Sequence, residues 1–188
     1  MSSNIAVVYG SVREARQGIK AANFMVNQLR ARGHEVDLVD PKVHVLPMLD
    51  KRYFEYESGK APEMMEKVAQ IFSKADGYVI VTGEYNHSVP PALKNILDHY
   101  LKEYLNKPAA IVSYSGGAFG GQRAAVHLRA IIGQLGMVSI PSMFPIPAVQ
   151  NAFDDDGNAI DKAYEKRVTN FIEEFEKYLS ALSILKKQ

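Results

Sequence analysis

Asn4-Ile5-Ala6-Val7-Val8-Tyr9-Gly10-Ser11-Val12-Arg13-Glu14-Ala15-Arg16-Gln17-Gly18 passes from an apolar run into a polar loop bounded by glycines. Residues 4–10 carry no charge, the pattern of a strand buried on both faces. Ile19, Ala22, Val26 and Leu29 then recur at helical spacing, and Gly33 ends the helix. The same alternation continues outward from this unit. Glu35 to Asp40 alternates Val36 and Leu38 with acids, as an edge strand does, and a long connection containing Pro41, Pro47 and Pro62 follows. Met64, Val68, Ile71 and Ala75 mark a second helix, and Gly77 to Thr82 a third, fully buried strand. Pro90 and Pro91 sit at a helix start, where proline is tolerated, and Leu93, Ile96, Leu97, Tyr100 and Leu101 continue it.

Ala109 to Ser113 reads as strand four, Ala125, Leu128, Ile132 and Leu135 as the next helix, and Met137 to Ile140 as a short strand five. From Asp161 a last helix carries Val168, Phe171, Ile172, Phe175, Leu179 and Leu182. Five strands alternating with five helices predict an α/β, doubly wound, five-stranded parallel sheet, and right-handed crossovers favour the order 2-1-3-4-5.

With 188 residues, 47% hydrophobic and 23% charged, the chain has the proportions of one globular domain, expected to span 1–188. Twenty-two Lys and Arg against 21 Asp and Glu leave a net charge of +1, which favours neither nucleic acid nor an anionic membrane as partner. The absence of cysteine excludes disulfides, thiolate metal sites, iron-sulfur clusters and thiol nucleophiles. The opening has no basic segment and only a short apolar run, so the expected location is cytoplasmic.

In a sheet of this order ligands bind beyond the carboxyl ends of the strands, between strands 1 and 3. The loops at 10–18, 83–91 and 114–121 should converge there. The first places Ser11, Arg13 and Arg16 before a helix whose start has unpaired amides and roughly half a positive charge, a receptor for one phosphate. It is neither a Walker A loop nor a Gly-x-Gly-x-x-Gly turn, which argues against a nucleoside triphosphate or a pyrophosphate. The second, with Glu84, Tyr85, Asn86 and Ser88, suits a flat heterocycle. The third, Ser115-Gly116-Gly117-Ala118-Phe119-Gly120-Gly121, lets backbone amides approach a planar ring.

Other chemistries fit less well. His34, His44, His87, His99 and His127 lack metal-ligand spacing, so no metal site is expected. Ser115 lacks the first glycine of a nucleophile elbow, and Ala159 replaces the glycine that a calcium loop at Asp154–Asn158 would need. No side-chain catalytic acid or base emerges.

Taken together, the loops resemble the NADPH-dependent FMN reductase family, flavodoxin-like enzymes that include quinone and azo-dye reductases. The resemblance spans residues 4 to about 150 and rests on Gly10-Ser11-x-Arg13, on Glu84-Tyr85-Asn86-His87-Ser88-x-Pro90-x-x-Leu93-Lys94-Asn95, and on Ser113-Tyr114 with Gly120-Gly121-x-Arg123-Ala124. It implies that Ser11, Arg13, Arg16 and Gly18 hold FMN phosphate. It implies further that Glu84, Tyr85, Asn86, Ser115, Gly116 and Gly117 surround the isoalloxazine, with His87, Ser88 and Tyr114 in the same cofactor-binding set. The implied activity is hydride transfer from NADPH or NADH through FMN to a small-molecule acceptor: a quinone, an azo compound, a free flavin or similar. The implied assembly is a homodimer or homotetramer, with residues 93–104 as a subunit contact. The competing reading is a flavodoxin-type one-electron carrier, which the near-neutral charge disfavours.

Overall fold

The computed structural model describes residues 2–187. Five parallel strands, β1 (Asn4–Tyr9), β2 (Glu35–Val39), β3 (Gly77–Gly83), β4 (Pro108–Tyr114) and β5 (Val138–Ile146), form one sheet in the order β2-β1-β3-β4-β5. The helices are α1 (Gly18–Ala31), α2 (Glu63–Lys74), α3 (Pro91–Asp98), α4 (Gln122–Gln134) and α5 (Ala163–Leu182). The expected flavodoxin-like arrangement is the one formed.

Period-two side chains divide the central strands between two layers. Ile5, Val7 and Tyr9 of β1 pack with Phe24, Met25 and Leu29 of α1 and with Phe171, Ile172 and Phe175 of α5. Ala6 and Val8 face the other way, toward Met65 and Phe72 of α2, Leu93 and Leu97 of α3, and Leu128 of α4. β1, β3 and β4 are covered on both faces, which explains why they read as unbroken apolar runs.

The structure revises two boundaries. α3 ends at Asp98, and a short 3-10 turn at Lys102–Tyr104 carries the chain onward, so Tyr100 and Leu101 follow the helix. Strand five runs from Val138 to Ile146 and is not confined to 137–140. Pro141 and Pro145 look like strand breakers, but β5 is an edge strand with a free side, where proline breaks no ladder. The step from Ser139 to Met143 on β5 faces only the step from Ala109 to Ile111 on β4, a bulge that accommodates Pro141.

The connection between β2 and α2 folds back over α3. Leu49 N–H donates to Asn95 Oδ1 (3.0 Å), Asn95 Nδ2 to the Pro47 carbonyl (2.8 Å), and Tyr53 N–H to the His99 carbonyl (2.8 Å). Leu93, Ile96, Leu97, Tyr100 and Tyr104 are buried inside the subunit. The apolar side chains of 93–104 therefore pack within the chain.

Candidate functional site

At the carboxyl edge of the sheet, Ser11, Arg13, Ala15, Arg16, Gln17, Tyr85, Tyr114, Gly116, Val149 and Gln150 line a cleft of about 150 Å³. All three loops expected to converge do meet there. A larger hollow of about 410 Å³ lies at the opposite edge, beside Ser3, His34 and the end of α5. Its Glu176 carboxylate accepts from Arg32 at 2.8 and 2.7 Å and lies 3.1 Å from His34 Nε2, so the polarity of these three is spent internally.

The first loop leaves β1 through Gly10, where a Cβ would lie 2.7 Å from Leu93 Cβ, so only glycine lets the chain pass α3 this closely. Ser11 is buried, with its hydroxyl 3.4 Å from the Tyr85 hydroxyl, while Arg13 is exposed at the rim. Arg16 turns away from the rim. One of its Nη atoms pairs with Asp40 Oδ1, the other donates to Asp40 Oδ2 at 2.6 Å, and the plane lies over the Tyr9 ring at 5.4 Å from its centroid. The bond to Asp40 raises the guanidinium pKa above its ordinary value. Among the described residues, the N–H groups of Ala15 and Gln17, just before the first turn of α1, donate to no group of the chain.

Gly18 stands behind the cleft. A Cβ there would lie 2.0 Å from Tyr114 Cζ, because the Tyr114 ring fills the space against α1. Tyr114 also stacks on Tyr9 with centroids 6.2 Å apart, and its hydroxyl donates to the Tyr9 hydroxyl at 3.4 Å. Burial raises both phenol pKa values, so both hydroxyls stay protonated near neutrality.

The second loop is a tight reversal. Tyr85 and Ser88 exchange backbone hydrogen bonds of 2.9 and 3.0 Å, and the two residues between, Asn86 (φ 49°) and His87 (φ 67°), are both left-handed, the signature of a type I′ turn. Asn86 and His87 project into solvent, and the Ser88 hydroxyl is 3.4 Å from His127 Nδ1. Glu84 points to α4. Its carboxylate accepts from the N–H groups of Arg123 (3.1 Å) and Ala124 (3.4 Å), capping a helix whose N-cap residue, Gly121, has no side chain to do so.

The third loop is braced from behind by the turn after β5. Ala148 N–H donates to the Gly117 carbonyl (3.0 Å), Val149 N–H to Ser115 (3.1 Å), and Gln150 Nε2 to Gly116 (3.3 Å). Ser115 Oγ closes onto the Gly117 carbonyl at 3.0 Å. With these carbonyls engaged, the N–H groups of Gly116 and Gly117 donate to no group of the chain among the described residues, and a Cβ on Gly117 would meet nothing within 4 Å.

Of the residues picked from sequence, Ser11, Arg13, Arg16, Tyr85, Tyr114 and Gly116 line the cleft. Gly18, Glu84, Asn86, His87, Ser88, Ser115 and Gly117 lie behind or beside it. Sequence reasoning missed Val149 and Gln150, which no local pattern marks, and Asp40, whose position at the carboxyl end of the strand beside β1 was the available signal. Among the described residues, no cluster of three or more His, Asp or Glu is placed to hold a metal ion, and no helix is long and apolar enough to cross a membrane.

Residues 3–151 match the family model described as NADPH-dependent FMN reductase. A 2-hydroxy-1,4-benzoquinone reductase from Burkholderia sp is 31% identical over 182 residues, 93% of this chain and 95% of that protein. A probable NADPH:quinone oxidoreductase 1 from Oryza sativa subsp. japonica is 34% identical over 173 residues, covering 87% and 85%. Among solved structures, a flavoenzyme NAD(P)H:(acceptor) oxidoreductase from Paracoccus denitrificans superposes with a TM-score of 0.76 at 23% identity, covering 95% of this chain and 98% of that one. The chain belongs to the family whose model it matches.

Proposed function

We propose that this member of the NADPH-dependent FMN reductase family, an FMN-dependent NAD(P)H oxidoreductase, holds its flavin in the cleft at the carboxyl edge of the sheet and passes electrons to quinones. The observation that carries the placement is the meeting of three loops around unpaired donors. Ser11, Arg13 and the free amides at the start of α1 suit a phosphate. The N–H groups of Gly116 and Gly117, beside open space, suit the polar edge of a planar ring, and Tyr85 supplies an aromatic wall. FMN, when bound, supplies the hydride acceptance and donation.

The chain's part is to anchor and orient. α1 fixes the phosphate end, the brace at 148–150 aims the amides, and Glu84 acts through α4 by holding its first turn. Asn86, His87 and Ser88 form a rim that meets donor or acceptor. The net reaction, NADPH + H⁺ + quinone → NADP⁺ + hydroquinone, requires one proton, which solvent supplies at an open cleft. The quinone class is supported by the Burkholderia and rice relatives, whose names specify it. An azo acceptor is the second choice, since a relative from Bacillus sp. is an NADPH azoreductase at 26% identity.

The proposal includes a cytoplasmic setting and assembly as a homodimer or homotetramer. Because 93–104 pack inward, the contact falls to the exposed apolar residues of the connection over α3, Val43, Val45, Met48 and Phe54. Anaerobic addition of NADPH to the FMN-loaded protein tests the assignment. Bleaching of the yellow colour followed by reoxidation with benzoquinone is expected, with parallel double-reciprocal lines. A flavin that NADPH leaves oxidised refutes the enzyme reading, and a reductive titration that halts at one electron favours a carrier.

A further inference from the structure

We infer that Asp40 is a positioning residue for the phosphate end of the cleft: it holds Arg16 as a staple of the loop after β1 and withdraws it from the groups that grip the ligand. Arg13 is then the cation that meets the phosphate. The inference rests on the cleft being the FMN site.

The staple ties three points. Arg16 pairs with both carboxylate oxygens of Asp40 at the end of β2, one of its Nη atoms donates to the Ser11 carbonyl at 3.2 Å, and its plane covers the Tyr9 ring. Asp40 is itself fixed, 5% exposed and accepting the Lys42 N–H at 2.9 Å. Two-point guanidinium–carboxylate pairing is directional, so it sets the loop's shape as well as its charge. For Arg16 to turn its paired edge to a phosphate, a buried carboxylate would have to lose its partner, which is strongly unfavourable. Arg16 therefore stays with Asp40 when the ligand arrives, and the Ser11 carbonyl stays turned toward Arg16.

Comparing FMN with riboflavin isolates the phosphate. The apo-protein and Asp40→Asn are titrated with each by flavin fluorescence quenching. The wild type is expected to prefer FMN. In Asp40→Asn the preference falls about tenfold, the equivalent of one charge-assisted hydrogen bond, while riboflavin affinity holds. A merely structural defect lowers both affinities alike and overturns the inference. So does a preference that rises, which would show that the loop grips the phosphate without the Asp40 pair and that Asp40 positions nothing.

A second measurement needs no variant. Two-point pairing slows guanidinium rotation, so the Arg16 Nη signals in nitrogen-resolved NMR are expected to be resolved in the apo-protein and to keep their positions when FMN is added. A large displacement would put Arg16 on the phosphate and overturn the assignment. Equal wild-type affinities for FMN and riboflavin would sink the reading of the cleft, and the inference with it.

Discussion

Replacing Gly18 with alanine tests how the cleft's back wall is built. The added methyl would lie 2.0 Å from Tyr114 Cζ and 2.4 Å from both Cε atoms, against a comfortable carbon–carbon separation of about 3.5–4 Å. The ring has no clear retreat, because a Cβ at Gly83 would already be 3.0 Å from Tyr114 Cζ and Tyr9 stacks on it. Either α1 lifts or the ring leaves its slot. Overpacking of this kind costs about 1–3 kcal/mol. The better helix propensity of alanine returns at most about 1 kcal/mol, and less at a first helical position. The net loss is about 2 kcal/mol, a fall in melting temperature of about 4–8 °C for a chain of this size. Urea unfolding of the apo-protein measures it, and the cycle Gly18→Ala, Tyr114→Leu and the double variant identifies the cause. With a smaller, flexible side chain at 114, alanine at 18 should cost much less than it does alone. Strict additivity in that cycle, or a Gly18→Ala protein as stable as the parent, would refute the contact as the reason glycine is required.

Three further outcomes are expected. Glu84→Ala removes the only side-chain acceptor, among the described residues, on the first-turn amides of α4 and should cost about 1 kcal/mol in urea unfolding; an unchanged midpoint would show that the cap is idle. Ala148→Gly should stabilise the chain by about 0.5–1 kcal/mol, since residue 148 is left-handed (φ 44°, ψ 49°) and only glycine occupies that region freely; a loss of stability would contradict the strain. The bond from Arg32, aided by His34, depresses the Glu176 carboxyl pKa. A depressed acid contributes stability above its unfolded pKa, about 4.3, and loses it as pH falls through the lower folded value. Glu176→Gln should therefore cost about 0.5–1 kcal/mol at pH 7, after allowance for solvent screening, and progressively less as the pH falls below about 4; a penalty that does not shrink in acid would assign the effect to packing.

The unbroken apolar runs of β1, β3 and β4, the helical spacing between them and the glycine-marked loops were enough to predict a parallel sheet and its strand order. Strands buried on both faces, joined by right-handed crossovers, leave few alternatives. For the same reason the sequence alone brought the three loops together at the ends of β1, β3 and β4, where the cleft lies. It could not say which polar residues face the cleft and which face the protein. Arg13 and Arg16 look equivalent in the sequence, yet one is exposed at the rim and the other is paired with Asp40. Glu84, which reads as a ring contact, caps α4, and Gly18, which reads as part of the phosphate loop, makes room for Tyr114. Val149 and Gln150 enter the site from beyond a strand whose prolines disguised its length. Hydrophobic period and chain connectivity are local properties that a sequence displays, whereas the partner of a charge is chosen by whichever opposite charge the fold brings within reach, and only the tertiary structure decides that.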